Sequence, residues 1–208
     1  MTDFFDKAAV VWDKDPGRVL MAKTIADAMI NTLHPEGTEL VMDYGTGTGN
    51  IAVRIAPLVR KIIAVDSAKG MLEVLNAKLG TDGITTIEPR EWSIGQNTAD
   101  LPVFDMIVSS MTLHHVKDTI AAARTFHELL VPGGRIAIAD LDSDKGEFHE
   151  APGIAEHDGF DRKNLQQVFE EAGFNFVRFS QAATIHKISS LTGKPRVFTI
   201  FLMTADRR

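Results

Sequence analysis

Between residues 41 and 50 the chain reads Val-Met-Asp-Tyr-Gly-Thr-Gly-Thr-Gly-Asn, an apolar run that ends in an acid, crosses three alternating glycines and enters a helical pattern. That order describes a strand, a tight loop and a helix start. Glycine reaches backbone angles closed to other residues and carries no side chain, so a ligand can meet the main-chain N–H groups of such a loop directly. A Gly-rich turn also occurs for structural reasons alone, so the loop gains meaning from the pattern downstream of it.

That downstream pattern is alternation. Apolar runs predict strands near 39–43, 61–66, 84–88, 103–109 and 134–141. Helices are expected near 48–57, 67–79 and 116–130, with a short irregular one around 93–99. Ahead of them, Phe4–Leu33 carries helical spacing in Val19, Ala22, Ala26, Met29, Ile30 and Leu33, with Pro16 suited to a first turn. After 141 comes a polar loop (142–159), then a helix over Asp161–Ala172 closed by Gly173. Two further strands, Phe174–Ser180 and Val197–Met203, flank a turn at Gly193-Lys194-Pro195. Strand–helix alternation of this kind builds an α/β fold around a mostly parallel sheet. No repeat, low-complexity tract or linker divides the 208 residues, which read as one domain.

The glycines at 45, 47 and 49 run G-x-G-x-G, whereas a dinucleotide loop needs G-x-G-x-x-G around a pyrophosphate. Asp43, at the strand's C-terminal edge, would repel a phosphate and welcome a cationic group. Asp66 ends the next apolar strand, where an acid can accept both hydroxyls of a ribose. It also stands in the N-cap region of the helix Ser67–Leu79, whose Met71, Leu72, Leu75 and Leu79 trace an apolar stripe. The two roles are compatible if Ser67 caps and Asp66 binds.

These residues resemble the class I S-adenosylmethionine-dependent methyltransferases, in particular the small type 11 branch that includes ubiquinone/menaquinone-biosynthesis-like enzymes. The resemblance runs from about Trp12 to the C-terminus. It rests on the loop 43–49, on Asp66, on Phe104-Asp105-Met106-Ile107-Val108-Ser109-Ser110 followed by Leu113-His114-His115-Val116, and on Leu130-Val131-Pro132-Gly133-Gly134 before the strand Arg135–Leu141. Thr46 departs from the cysteine many relatives carry, at a position where contact is through backbone.

The resemblance implies a three-layer Rossmann-like sandwich with a seven-stranded, mostly parallel sheet and an antiparallel last strand. Residues 1–36 would form a helical lid, 37–141 the cofactor-binding core, and 142–208 the substrate-side loop and closing strands. It implies S-adenosylmethionine as methyl donor and S-adenosylhomocysteine as product. Asp43 would compensate the cofactor's charged end, Gly45 and Gly47, with Thr46 and Gly49 in the same loop, would let it approach the backbone, Asp66 would take its ribose, and Ser67 and Met71 would line the adenosine pocket; Tyr44 would orient substrate or cofactor, or else pack. Glu91 and Trp92 are the adenine candidates, or else a surface acid beside a core tryptophan. Ser109 and Met111 would border the methyl donor. His114 and His115 are the catalytic candidates, since a neutral imidazole can take a proton from an oxygen or nitrogen nucleophile; the alternative is that one of them packs against the following helix and hydrogen-bonds backbone.

Composition narrows the chemistry. A formal charge of −6 with scattered Lys and Arg argues against nucleic acid and for a small-molecule acceptor. The lack of the Asn/Asp-Pro-Pro-Tyr/Phe motif at Ser109-Ser110-Met111-Thr112 agrees. With no cysteine, methylation through a thiolate adduct, disulfides and thiolate metal sites are excluded. His149 and His157 with Asp142, Asp144 and Glu147 show irregular ligand spacing, so no metal is assigned; a polar lid, with Phe4, Phe5 and Trp12 closing the pocket, fits that loop better. No secretory leader or membrane-spanning run is legible, which makes the cytoplasm the default compartment. Two other functions compete. One is an NAD(P)-dependent reductase, disfavoured by the glycine spacing, by the closing strand and by the absence of a Tyr-x-x-x-Lys pair. The other is a non-catalytic S-adenosylmethionine-binding protein.

Overall fold

A computed structural model describes residues 2–149 and 153–208. Its centre is a seven-stranded sheet: β1 (Leu40–Tyr44), β2 (Lys61–Asp66), β3 (Ile87–Glu91), β4 (Phe104–Ser110), β5 (Leu130–Leu141), β6 (Phe174–Ile188) and β7 (Pro195–Arg207). Their order across the sheet is β3-β2-β1-β4-β5-β7-β6. The neighbours from β3 to β5 are parallel, and β7 alone runs against both of its neighbours. The chain reverses direction between β4 and β1, so the carboxyl ends of those two strands border a crevice.

Helices α1 (Thr2–Trp12), α2 (Pro16–Leu33), α3 (Asn50–Ile55), α4 (Lys69–Asp82), α5 (Thr119–Leu129) and α6 (Arg162–Glu171) complete the chain. Alternate strand residues face opposite ways. Val41, Ile62, Ala64 and Val108 pack under α2, α3 and α4, while Met42, Ile63, Val65 and Ile107 pack under α5 and α6. A parallel strand buried on both faces needs such a continuous apolar run, which explains why the central residues of β1 and β2 carry no charge until the strands turn toward the crevice. Among the described residues, no helix is long and apolar enough to cross a membrane.

Local chemistry sets the boundaries. Asp15 accepts from the Gly17 and Arg18 N–H groups and Pro16 begins α2, so the N-terminal helical segment is two helices rather than one. Asp161 caps α6 through the Lys163 and Asn164 N–H groups, and Gly173 turns the chain at φ 104°. Three expectations are corrected. The third strand lies at 87–91 rather than 84–88, because Ile84 still donates to Leu79 as part of the α4 C-terminus. No helix forms over 93–99: the Ser93 N–H goes to the Gln96 side chain and the Ala99 N–H to Asn97, local bonds that compete with helix formation. The expected cap Ser67 is exposed and caps nothing; Asp66 itself accepts from the Ala68 N–H.

Candidate active site

All three loop glycines take left-handed angles, φ 70° at Gly45, 55° at Gly47 and 81° at Gly49. Two of them are also required by packing. A Cβ at Gly45 would stand 2.1 Å from the Thr112 methyl, and one at Gly49 would stand 2.3 Å from Leu75. At Gly47 the nearest atom would be the Met71 sulfur at 4.0 Å, so here the space above the backbone stays open to a ligand. The loop is pinned to β2: the Gly45 and Thr46 N–H groups both donate to the Val65 carbonyl, at 2.8 and 3.0 Å. The Gly47 N–H donates to Asp66 at 2.8 Å.

Acids surround this loop. Asp43 is buried beneath it, 1% exposed, and accepts the Thr46 hydroxyl at 2.7 Å. Burial, together with the nearby charge of Asp66, pushes its carboxyl up to about 7 against the bonds from Thr46 and the Ala52 N–H. Neither of those two partners carries a charge. Asp66 is likewise raised, chiefly by burial and further by Asp6, although the Ala68, Gly47 and Ser67 N–H groups oppose this. Asp6 belongs to α1 and accepts the Gly70 N–H at 2.7 Å. Asp66 therefore raises the cost of charge on Asp43, and Asp6 raises it on Asp66, so a cation beside this loop would relieve both raised carboxyls.

The other cofactor candidates divide between the crevice and the core. Ser67 is exposed beside Asp66, and Met71 is buried against Ala9 and Ala68. Glu91 pairs in register with Asp66 at the exposed end of β3. Trp92 is buried, donates its indole N–H to the Asn97 carbonyl and meets the Tyr44 ring edge-on. Tyr44 lies in the core against Phe126, where burial pushes its phenol up to about 12. Its side chain packs, while its backbone carbonyl accepts the Ser109 hydroxyl at 2.9 Å.

At the end of β4 the chain bends sharply. Met111 sits at φ 53°, a strained angle for a side chain of that length, and donates its N–H to Ala139. Thr112 reaches back to the Gly45 carbonyl at 3.2 Å. The 3-10 turn Leu113–His115 then delivers both histidines. His114 is 1% exposed, and its Nδ1 meets Asp140 of β5 at 2.6 Å. Burial opposes ionisation of Asp140, but the His114 ring and the Leu141 and His114 N–H groups outweigh it and hold the carboxyl below the usual range. Nδ1 therefore carries the proton, and the buried Nε2 of His114 has no partner among the described residues. His115 donates Nδ1–H to the Ile154 carbonyl at 2.7 Å; burial and His114 lower it to about 3. Its ring meets Phe5 of α1 edge-on at 5.0 Å.

The expected loop residues part company. His149 joins His114 and His115, with ring centroids 5.0 and 5.5 Å away. His157 instead bonds the Val116 carbonyl, Asp142 holds Arg162, Asp144 accepts from the Gly146 and Phe148 N–H groups, and Glu147 pairs with Arg196. Sequence reasoning missed Asp6, Asp140 and Asp13. Asp13 accepts from the side chains of Thr48 and Asn50 and pairs with Lys78 at 2.9 Å, tying the α1–α2 junction to the glycine loop. Nothing in the local pattern marks an acid 35 residues from its partner.

The chain is similar in sequence to proteins named methyltransferases. An uncharacterized methyltransferase of Schizosaccharomyces pombe is 26% identical over 176 residues, 77% of this chain and 62% of the relative. An uncharacterized methyltransferase of Mycobacterium tuberculosis is 33% identical over 115 residues, 54% of this chain and 55% of the relative. The chain thus spans less than two thirds of the length of these relatives. The fold is shared with the YcgJ protein of Bacillus subtilis at a TM-score of 0.71 and 18% identity, covering 88% of this chain and 98% of that one. It is shared also with a phosphoethanolamine N-methyltransferase of Haemonchus contortus, solved with S-adenosylhomocysteine, at 0.71 and 13% identity, covering 91% and 57%. Residues 18–178, well over half of the sequence, match the family model of the methyltransferase domain, and the chain belongs to that family.

Proposed function

We propose that this methyltransferase moves the methyl group of S-adenosylmethionine to a small-molecule acceptor by in-line displacement, in the cytoplasm. The observation that supports it most is the chain of acids beside the glycine loop: Asp66 makes charge on Asp43 costlier, Asp6 does the same to Asp66, and a sulfonium is a cation that fits beside them. A pyrophosphate there would meet repulsion, which counts against a nicotinamide cofactor. When bound, the sulfonium supplies an already activated methyl, so the chain's task is to position, desolvate and manage one proton.

Asp66, and Glu91 beside it, would face the ribose and adenine, with Ser67 and Met71 along the nucleoside and the backbone of Thr46, Gly47 and Gly49 beneath it. Ser109 and Met111 would shape the methyl end. His114 and His115 would serve the acceptor rather than the cofactor, since both stand past the bend at Met111. Residues 1–36 act as the lid, 37–141 as the cofactor core and 142–208 as the acceptor side. The net charge of −6 favours a small acceptor over nucleic acid.

Calorimetry tests this directly. The chain should bind S-adenosylmethionine, and Asp43→Asn should weaken that binding roughly tenfold, about 1.4 kcal/mol, while leaving the uncharged thioether S-adenosylhomocysteine within about threefold. Tight NADH binding without S-adenosylmethionine binding would overturn the reading. Absence of S-adenosylhomocysteine formation across a broad acceptor panel, with cofactor binding intact, would favour a binding role instead.

A further inference from the structure

Three imidazoles converge where the acceptor is expected. His114, His115 and His149 each offer a ring nitrogen, and these three nitrogens lie within 4.8 Å of one another. The His114 and His115 rings stand 3.9 Å apart between centroids. The turn after β4 supplies the first pair, and the loop after β5 brings the third from 34 residues away.

The hydrogen bonds around the cluster orient it. His114 and His115 both spend Nδ1–H on an acceptor, Asp140 and the Ile154 carbonyl, so their Nε2 lone pairs are the free ones. Among the described residues, the Nε2 atoms of His114 and His149 are both buried and without a hydrogen-bond partner. A buried polar atom left unpaired is costly, and two in one cluster ask for a shared partner. The rings do not satisfy one another, because the Nε2 atoms of His114 and His149 bond to nothing among the described residues. A metal ion accepts lone pairs from all three.

The donor set also selects the ion. Three imidazoles with no thiolate suit a divalent first-row transition ion of the zinc type and not magnesium or calcium, which prefer oxygen. The Asp140–His114 pair has the form of the carboxylate–histidine arrangement that orients metal ligands and raises their basicity. Tetrahedral ligands at normal Zn–N lengths stand about 3.3 Å apart, so the cluster needs a contraction of about 1.5 Å or less, shared by three side chains.

We propose that His114, His115 and His149 bind one divalent transition-metal ion, held in place through Asp140, with one coordination position left to an oxygen donor. The site borders the cofactor loop, since Thr112, two residues before His114, touches Gly45. Its use in methyl transfer rests on the function proposed above: the ion gives His114 and His115 their common task on the acceptor. Cation binding itself does not depend on that function.

The test uses the full chain, stripped with a chelator and titrated with Co2+. The wild type should develop a visible absorption band that saturates at one ion per chain and is bleached by Zn2+. His149→Gln and His115→Gln should weaken uptake at least tenfold, and His186→Gln, which alters an exposed histidine on β6, should leave it unchanged. S-adenosylmethionine binding, measured in parallel, reports that each variant is folded. Absence of a saturable band in the wild type overturns the proposal without recourse to any variant. So does undiminished binding in His149→Gln, or an equal loss in His186→Gln, which would signify adventitious surface coordination. If Co2+ is taken up and S-adenosylmethionine is not, the metal site stands and the methyltransferase function falls; the reverse result separates them the other way.

Discussion

Asp43 is where a single carboxyl couples stability to pH. Its folded value of about 7 lies above the ordinary 3.8, so between about pH 4 and 7 the unfolded chain has released a proton that the folded chain keeps. The unfolded state then binds fewer protons, and stability falls as pH rises through that window, by up to about 1.4 kcal/mol per pH unit from this group alone. Asp43→Asn should remove that slope: denaturant unfolding at pH 8 should show the variant gaining on the wild type relative to pH 5, while its affinity for S-adenosylmethionine drops. Gly45→Ala acts by a different route. Its Cβ would strike Thr112 at 2.1 Å and its φ of 70° is unfavourable for alanine, so a loss of about 2 kcal/mol or more is expected in thermal unfolding. Removing one half of the buried His114–Asp140 pair should cost more, about 3–5 kcal/mol for His114→Ala in urea, because the buried Asp140 carboxyl would lose its ring partner and keep only two backbone N–H groups.

At the scale of elements, α1 is the piece whose placement matters most. It rests on α4 through the Asp6–Gly70 bond and on the histidine turn through Phe5, which also meets Trp12. A Cβ at Gly70 would come within 2.8 Å of the Asp6 carbonyl, so Gly70→Ala should lift α1 while leaving the sheet intact. Hydrogen exchange should quicken across residues 2–12 and stay unchanged in β1 and β4, and S-adenosylmethionine should bind several-fold more weakly; uniform protection would show that α1 is no lid. Leu75 joins the same region to the core, filling the space that Gly49 leaves free. Leu75→Ala should cost about 2–5 kcal/mol in denaturant unfolding, the usual result of emptying a fully buried leucine site.

Across the whole molecule, what could be read from the chain is what depends on near neighbours. The apolar runs of β1 and β2, the glycines after Tyr44 and the acids at positions 43 and 66 follow local rules of burial and backbone freedom, and they specified a parallel α/β sheet with a glycine loop at its crevice. The same rules misplaced β3 by three residues and invented a helix over 93–99, because Ile84 and Gln96 found hydrogen bonds that periodicity does not weigh. Only tertiary structure could set Asp140 against His114, Asp13 against Thr48, or His149 against two histidines of another strand's end, while dispersing His157 and the loop acids to other partners. Sequence carries short-range pattern, whereas the meeting of distant polar groups is decided by sheet order and loop path. The crevice was therefore foreseeable, and the cluster of imidazoles within it was not.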